Sequence, residues 1–327
     1  MNRVPSILTN LAFHQSRTWS AAVATICRNA ETPDELGALR QLFRLLRRRS
    51  RFDVVVTMGP RPSLAYGLAC ALLRLDSKQV LTEVFLDAPR PASPLWRAKT
   101  ALFRLVARRA LGLLTNSSAE VGFLARRFGI PAEKLRFVPM YTTIQAPGLA
   151  ASDAGPVLSI GRTLRDLDTL LLAAAKIERP LELVIGKRDR LPAELPARTT
   201  VFRDISLEEV RDRLRGAAVV AIPLLPAERS TGQVVMFEAM ALGKPVVATR
   251  VAGTEDYIRD GENGLLVEPG DAPALAAAVN RLLRDREFAG RLGQAALQDC
   301  RSEFDAERHA ERKLAAIAAL WRAGATS

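Results

Sequence analysis

Ser230-Thr-Gly-Gln-Val-Val-Met-Phe-Glu238-Ala-Met-Ala-Leu-Gly243-Lys-Pro245-Val-Val-Ala-Thr249 decides how the rest of this chain is read. A loop of small polar residues runs into a short helix. Gly243 ends that helix, and Pro245 introduces the apolar strand Val246–Thr249. A loop that enters a helix in this way points free backbone N–H groups and the positive end of the helix dipole at whatever lies in front of it. Such a seat suits phosphate. Glu238, two turns in, adds a carboxylate able to accept hydrogen bonds from vicinal hydroxyls. Phosphate plus diol describes a nucleotide. An ordinary βαβ crossover would show the same pattern, because many helix N-termini bind nothing, so physics alone leaves both readings open.

Working outward, apolar strands alternate with helical patterns along the whole chain, which predicts parallel α/β units. In the first half the expected strands are Asp53–Thr57, Gln79–Val84, Gly112–Thr115 and Leu135–Val138, with an early one near Ile7–Leu11. The expected helices are Pro33–Arg49, Arg61–Leu75, Leu95–Ala110 and Ser118–Phe128. Thr32, Pro33 and Glu35 form a start signal for the first of these. Tyr141–Pro156 has no periodicity and reads as a linker. The pattern restarts with strand Val157–Ile160, helix Leu167–Ile177, and strands Leu181–Ile185 and Thr200–Arg203. Ser206 and Glu209 open the next helix as a capping box, and strand Ala218–Pro223 leads into the quoted loop. Strand Leu265–Val267 and helices Ala272–Arg284 and Ala306–Ala323 follow. The domains are therefore expected at 1–145 and 156–305, with 306–327 a closing helix. Open α/β sheets of this kind bind ligands at the carboxyl ends of their strands.

The quoted stretch resembles the donor-binding signature of the group 1 (family 4) retaining glycosyltransferases. In that family a Glu, seven residues and a second Glu precede Ala-Met-Ala-x-Gly-x-Pro-Val-Val. The runs Gly253–Ile258 and Asp260–Asp271 also match, and a weaker match reaches back to about Asp53. The resemblance implies a GT-B fold: two Rossmann-like α/β domains facing each other across a cleft, the last helix crossing back onto the first, with Trp321 as its anchor. It implies transfer of a sugar from a nucleoside-diphosphate sugar to a glycan acceptor, with no cofactor and no metal. Glu238 aligns with the ribose-binding Glu. Gly161 and Arg162 align with a Gly-Arg pair that holds the diphosphate, and Arg165 stands where a Lys is usual. Arg grips phosphate through two parallel hydrogen bonds, so that exchange is chemically reasonable. Ser230, Thr231, Gly232, Gln233 and Val234 are the remaining candidate donor contacts.

Three departures bear on the acceptor and the sugar. Ser230 stands where the family has its first Glu, with shorter reach and no charge; Glu228 lies two residues upstream. The His that many members carry after the strand Gln79–Val84 is missing, and Glu83 or Asp87 is the candidate acid there, or else caps the next helix. The Gly-rich turn usual after the first strand is also missing. Asp166 and Asp168 sit at a helix start, where acidic residues favour the dipole, and read as structural rather than as a metal pair.

Charge is unevenly placed over the 327 residues. Residues 1–150 carry 22 Lys and Arg against 9 Asp and Glu, a net +13, and the remainder carries 25 against 26, a net −1. Arg40, Arg44, Arg47, Arg48 and Arg51 recur at helical spacing, and Leu39, Leu42, Phe43 and Leu46 occupy the intervening face. Trp96, Arg97, Lys99, Arg104 and Arg108 form a second such stretch. Basic amphipathic helices with aromatic residues suit an anionic membrane surface, although ordinary core helices with solvated basic faces look the same. The expectation is a lipid-linked or membrane-proximal acceptor and a cytoplasmic chain at the inner face of the membrane. Binding of nucleic acid, the competing explanation of the charge, lacks a reading module. A weakened GT-B scaffold acting through a partner is a third reading, motivated by Ser230. Three scattered cysteines and two histidines offer neither a disulfide framework nor a zinc site. No apolar run approaches the ~20 residues that cross a bilayer.

Overall fold

The structure is a computed structural model, and it describes residues 3–11, 13–27, 37–84, 93–150 and 154–325. The chain divides into two compact units, Met1–Pro139 with Ala306–Ser327, and Met140–Asp305.

The first unit runs β1 (Ile7–Thr9), α1 (Arg17–Ala22), β2 (Val23–Thr25), α2 (Gly37–Arg48), β3 (Val54–Met58), α3 (Pro60–Leu72), β4 (Gln79–Thr82), α4 (Pro94–Arg109), β5 (Gly112–Thr115), α5 (Ser118–Phe128) and β6 (Leu135–Phe137). Its strands form one parallel sheet in the order β2-β1-β3-β4-β5-β6. Val54, Val55 and Val56 are fully buried, as expected for a parallel strand covered on both faces. Phe103, Phe128 and Leu81 anchor the core under α4 and α5. The short pair α1 and β2 falls where the sequence predicts no element. Three and six residues are too few to show a period. The start signal at Thr32, Pro33 and Glu35 lies outside the described residues.

The second unit runs β7 (Val157–Ile160), α6 (Leu167–Ala174), β8 (Leu181–Ile185), β9 (Thr199–Arg203), α7 (Leu207–Gly216), β10 (Val219–Ile222), α8 (Gln233–Ala241), β11 (Val246–Thr249), β12 (Leu265–Val267), α9 (Ala272–Arg284) and α10 (Arg286–Ser302). The parallel order is β12-β11-β10-β7-β8-β9, so the sheet grows one way from β7 and the other way from β10. That reversal is the switch point at which open α/β sheets hold ligands. Ser206 and Glu209 form the predicted capping box at α7. Leu170, Leu275 and Val279 cover one face of the sheet. On α8, Phe237 stacks edge-on with Tyr257 and Phe304 at 5.0 and 5.2 Å between ring centroids. α10 is a third element absent from the sequence reading: Gly290 and Gly293 look like interruptions there, yet Leu292, Ala296 and Cys300 recur at helical spacing on a buried face.

The closing helix, α11 (Ala306–Ala325), belongs to the first unit. Glu307 accepts from Ser16 Oγ and Arg17 N at 2.7 Å and from Thr18 N at 3.1 Å, which caps the first turn of α1. Those donors pull the Glu307 carboxyl down to about 2. His309 Nδ1 lies 2.6 Å from Pro139 O, and burial pushes the imidazole down to about 3, so it is neutral and donates. Trp321 lies under the Arg3 guanidinium. No helix among the described residues is long and apolar enough to cross a membrane.

Candidate functional site

The second unit offers a built site at its switch point. The loop after β7 and the loop after β10 are stitched together: Asp166 N donates to Pro223 O (3.2 Å), Leu225 N to Leu164 O (2.9 Å) and Thr231 Oγ1 to Thr163 O (3.2 Å). Leu224 N donates to Thr249 Oγ1 at 2.9 Å, which ties the same loop to β11. Gly253 lies against the loop so closely that a Cβ there would meet Thr231 O at 2.4 Å and Thr231 N at 2.6 Å. The route into α8 is thus fixed by backbone and threonine hydroxyl contacts on three sides.

Arg165 lies across Gly161, whose φ of +146° favours glycine. A Cβ at Gly161 would sit 2.1 Å from Arg165 Nε. Nε donates to Ile160 O at 2.9 Å, which holds the guanidinium over the end of β7. Burial lowers its pKa to about 10, which leaves it a cation at neutral pH. No carboxylate among the described residues pairs with it. Arg162 points elsewhere: it is exposed and forms an ion pair with Asp204 at 3.0 Å, over the turn after β9. Asp166 is the N-cap of α6, accepting from Thr169 N and Oγ1 at 3.0 and 2.7 Å.

α8 begins at Gly232, its N-cap. Its first N–H groups have no acceptor within the helix. Ser230, Thr231 and Gln233 are buried, Val234 is exposed, and Glu228 stands in solvent. Glu238 is buried on α8, accepting from Thr143 Oγ1 at 2.8 Å and lying 3.8 Å from Arg211 Nη2 on α7. The structure therefore brings Arg165, Thr163, Thr231 and the start of α8 together. Glu238 has partners of its own and touches neither arginine. Thr143 and Arg211 were missed by sequence reasoning: Thr143 sits in an aperiodic linker, and Arg211 looks like any solvated helix residue.

In the first unit the switch lies between β1 and β3. There Asn10 Nδ2 donates to Gln41 Oε1 (2.8 Å) and Met58 O (3.2 Å), and Met58 N donates to Asn10 Oδ1 (2.7 Å). Glu83, just past β4, has φ +53° and stands 3.9 Å from Nζ of the buried Lys313 on α11. It does not cap α4; Ser93 does, accepting from Trp96 N at 3.3 Å. Asp87 lies outside the described residues. No group of three or more His, Cys, Asp or Glu among the described residues is placed to hold a metal ion.

The basic stretches are partly used inside the unit. Arg44 donates to Ile26 O and Arg48 to Thr25 O, fastening α2 to the edge strand β2. Arg104 donates to Arg127 O, and Trp96 lies 5.5 Å from the Arg127 guanidinium. Arg40, Arg47, Arg51, Arg97 and Arg108 are exposed, and Lys99 is half-buried. The apolar residues between the arginines of α2 divide into two stripes. Gln41 and Leu45 are buried, with Leu42 and Leu46 packed beside them, whereas Leu39 and Phe43 are exposed.

Residues 156–285 match the family model described as glycosyl transferases group 1, and residues 14–140 match that of glycosyltransferase family 4. The chain is 32% identical over 220 residues to an MMP alpha-(1->4)-mannosyltransferase of Mycolicibacterium hassiacum, covering 62% of this chain and 53% of that one. It is 31% identical over 163 residues to the lipopolysaccharide core biosynthesis glycosyltransferase LpsE of Rhizobium meliloti, covering 48% and 47%. The chain spans about half the length of the curated relatives it matches. Among solved structures, sucrose-phosphate synthase from Thermosynechococcus elongatus superposes with a TM-score of 0.72 at 20% identity, over 99% of this chain and 100% of that one. Anabaena HepE in complex with UDP and glucose gives 0.68 at 18%, over 95% and 98%. These likenesses show the fold, which is GT-B.

Proposed function

This chain belongs to the group 1 glycosyltransferases, and from that premise we propose that it transfers a sugar, with retention, from a nucleoside-diphosphate sugar to a glycan acceptor. The observation that carries the reading is Arg165. It is a cation held by Ile160 O at a strand end, with no carboxylate against it among the described residues, beside loops that lead into a helix N-terminus. A site built this way is incomplete without an anion.

Each residue takes a part in that reading. Arg165 and the first N–H groups of α8 hold the diphosphate, and Arg162 joins them by leaving Asp204 when the anion arrives. Negative charge grows on the departing phosphate as the glycosidic bond breaks, so fixed guanidinium groups lower the barrier without a metal ion. Glu238, already oriented by Thr143 and Arg211, accepts hydrogen bonds from the ribose hydroxyls. Ser230 and Gln233 face the transferred sugar. Front-face attack, with a donor phosphate oxygen taking the acceptor proton, follows from the family by analogy.

The acceptor is, in this proposal, a lipid-linked or membrane-proximal glycan of cell-envelope or exopolysaccharide synthesis, met at the inner face of the membrane. The surplus of positive charge in residues 1–150 supports it, as does the likeness to a lipopolysaccharide core transferase. Ser230 in place of an acid favours one other reading, a scaffold that binds donor without transferring it. A thermal-shift screen of UDP-, GDP- and ADP-sugars tests the site. At least one nucleotide sugar is expected to stabilise the protein, and Arg165→Ala and Glu238→Ala to abolish the shift. No shift with any donor would end the proposal. A shift without turnover would favour the scaffold.

A further inference from the structure

We propose that the outer face of α2 is a docking surface for an anionic lipid bilayer. Leu39 is 81% exposed and Phe43 64% exposed, although both sit on a helix that packs its other side into the core through Leu45. Residues 39, 43 and 47 lie one turn apart on one stripe. Arg47 therefore continues the line of Leu39 and Phe43, and Arg40 flanks it; both are exposed. At the far end of α2, Arg49 donates to Asp76 O, which holds the turn after α3 beside the helix. The end of α3 and its C-cap present two more exposed leucines, Leu72 and Leu73.

The chemistry of this stripe selects its occupant. Apolar side chains interleaved with arginines on one helix face match the headgroup boundary of a membrane, where leucine and phenylalanine enter the acyl region and guanidinium groups meet lipid phosphates. The net +13 of residues 1–150 fits an anionic bilayer and opposes pairing with a second copy of the same face. A nucleic acid would use the arginines and the single ring of Phe43, but it gains little from the three leucines, Leu39, Leu72 and Leu73, since bases stack on aromatic rings. Arg44 and Arg48 are not part of the surface, because they hold β2. The inference deepens the membrane-proximal reading of the acceptor and rests on it.

The test is flotation of the full chain with vesicles of phosphatidylcholine alone or enriched in phosphatidylglycerol, at low and high salt. The chain is expected to float with the anionic vesicles only, and less at high salt. L39S/F43S is expected to lower the bound fraction roughly tenfold or more, and R40E/R47E to remove the preference for anionic lipid. Both variants should keep the parent melting temperature and nucleotide-sugar shift. Equal flotation with neutral and anionic vesicles, undiminished flotation of L39S/F43S, or capture by RNA and not by vesicles would each overturn the proposal. Intact flotation without any nucleotide-sugar shift would still support this surface and would overturn the donor reading instead.

Discussion

At the carboxyl edge of the second sheet, the loops after β7 and β10 share three hydrogen bonds, and among the described residues no carboxylate pairs with Arg165. At the carboxyl edge of the first sheet, the amides of Asn10 and Gln41 close on each other and on Met58, and Glu83 already faces Lys313. The two sheets are both parallel and six-stranded, so the contrast does not come from architecture. One edge stores an uncompensated charge in a rigid frame; the other is internally settled, and its unit carries its surplus charge on exposed helix faces. A fixed charge in a fixed frame suits a ligand that never changes, such as a diphosphate. A settled edge with an adhesive outer surface suits a partner that is met rather than enclosed.

The sharpest way to break this contrast is to remove the stored charge. Arg165→Met is expected to weaken nucleotide-sugar binding about a hundredfold, because two charge-assisted hydrogen bonds are worth roughly 1.5–3 kcal/mol each and the removal is only partly compensated. The melting temperature without ligand should hold or rise, since an unpaired half-buried cation costs the free protein stability. Calorimetry and thermal melting read both. A loss under threefold would place the anion seat elsewhere.

Next in size is the frame itself. Gly253→Val puts side-chain atoms where the Thr231 backbone now lies. Overpacking of this kind costs about 1–3 kcal/mol, and the donor loop must shift, so nucleotide-sugar affinity should fall about tenfold. Unchanged affinity in a folded variant would show that the loop does not need its stitched position.

Much of this frame was legible in the sequence. Gly161 after an apolar strand, the Gly-bounded α8 and the Ser206–Glu209 box are local signals, and each element they predict appears in its place. Glu238 was legible as a candidate acceptor for vicinal hydroxyls, but its burial and its partners were not: Thr143 lies 95 residues away and Arg211 is 27 residues upstream, and no local pattern encodes either contact. The first unit was harder for the same reason. The packing of α2 depends on which of two apolar stripes meets the sheet, and β2 is recognisable only by the arginines that grip it. The pairing of Glu83 with Lys313 joins residues 230 apart.

The partners of Glu238 give a smaller effect. Thr143→Val keeps the shape and removes the 2.8 Å hydrogen bond to Oε1. If that bond orients the carboxylate toward ribose, affinity should fall about three- to tenfold, the worth of roughly 1 kcal/mol. Discrimination between ribose and 2′-deoxyribose donors should shrink with it, a change that a merely structural threonine would not produce.

The smallest effect at neutral pH concerns the settled unit. Burial holds His309 neutral, with a folded pKa of about 3 against an ordinary value of 6.5. Between those values the unfolded chain binds a proton that the folded chain refuses, so stability falls as pH drops from about 6.5 toward 3. His309→Asn keeps an N–H donor for Pro139 O and has nothing to titrate. The variant should match the parent near pH 7 and lose less stability on acidification through that window. Denaturant melts at a series of pH values, followed by Trp19 and Trp321 fluorescence in the first unit, report the slope. Parallel curves would mean that His309 is already charged in the folded protein, and that α11 is held to its unit by something other than a buried neutral imidazole.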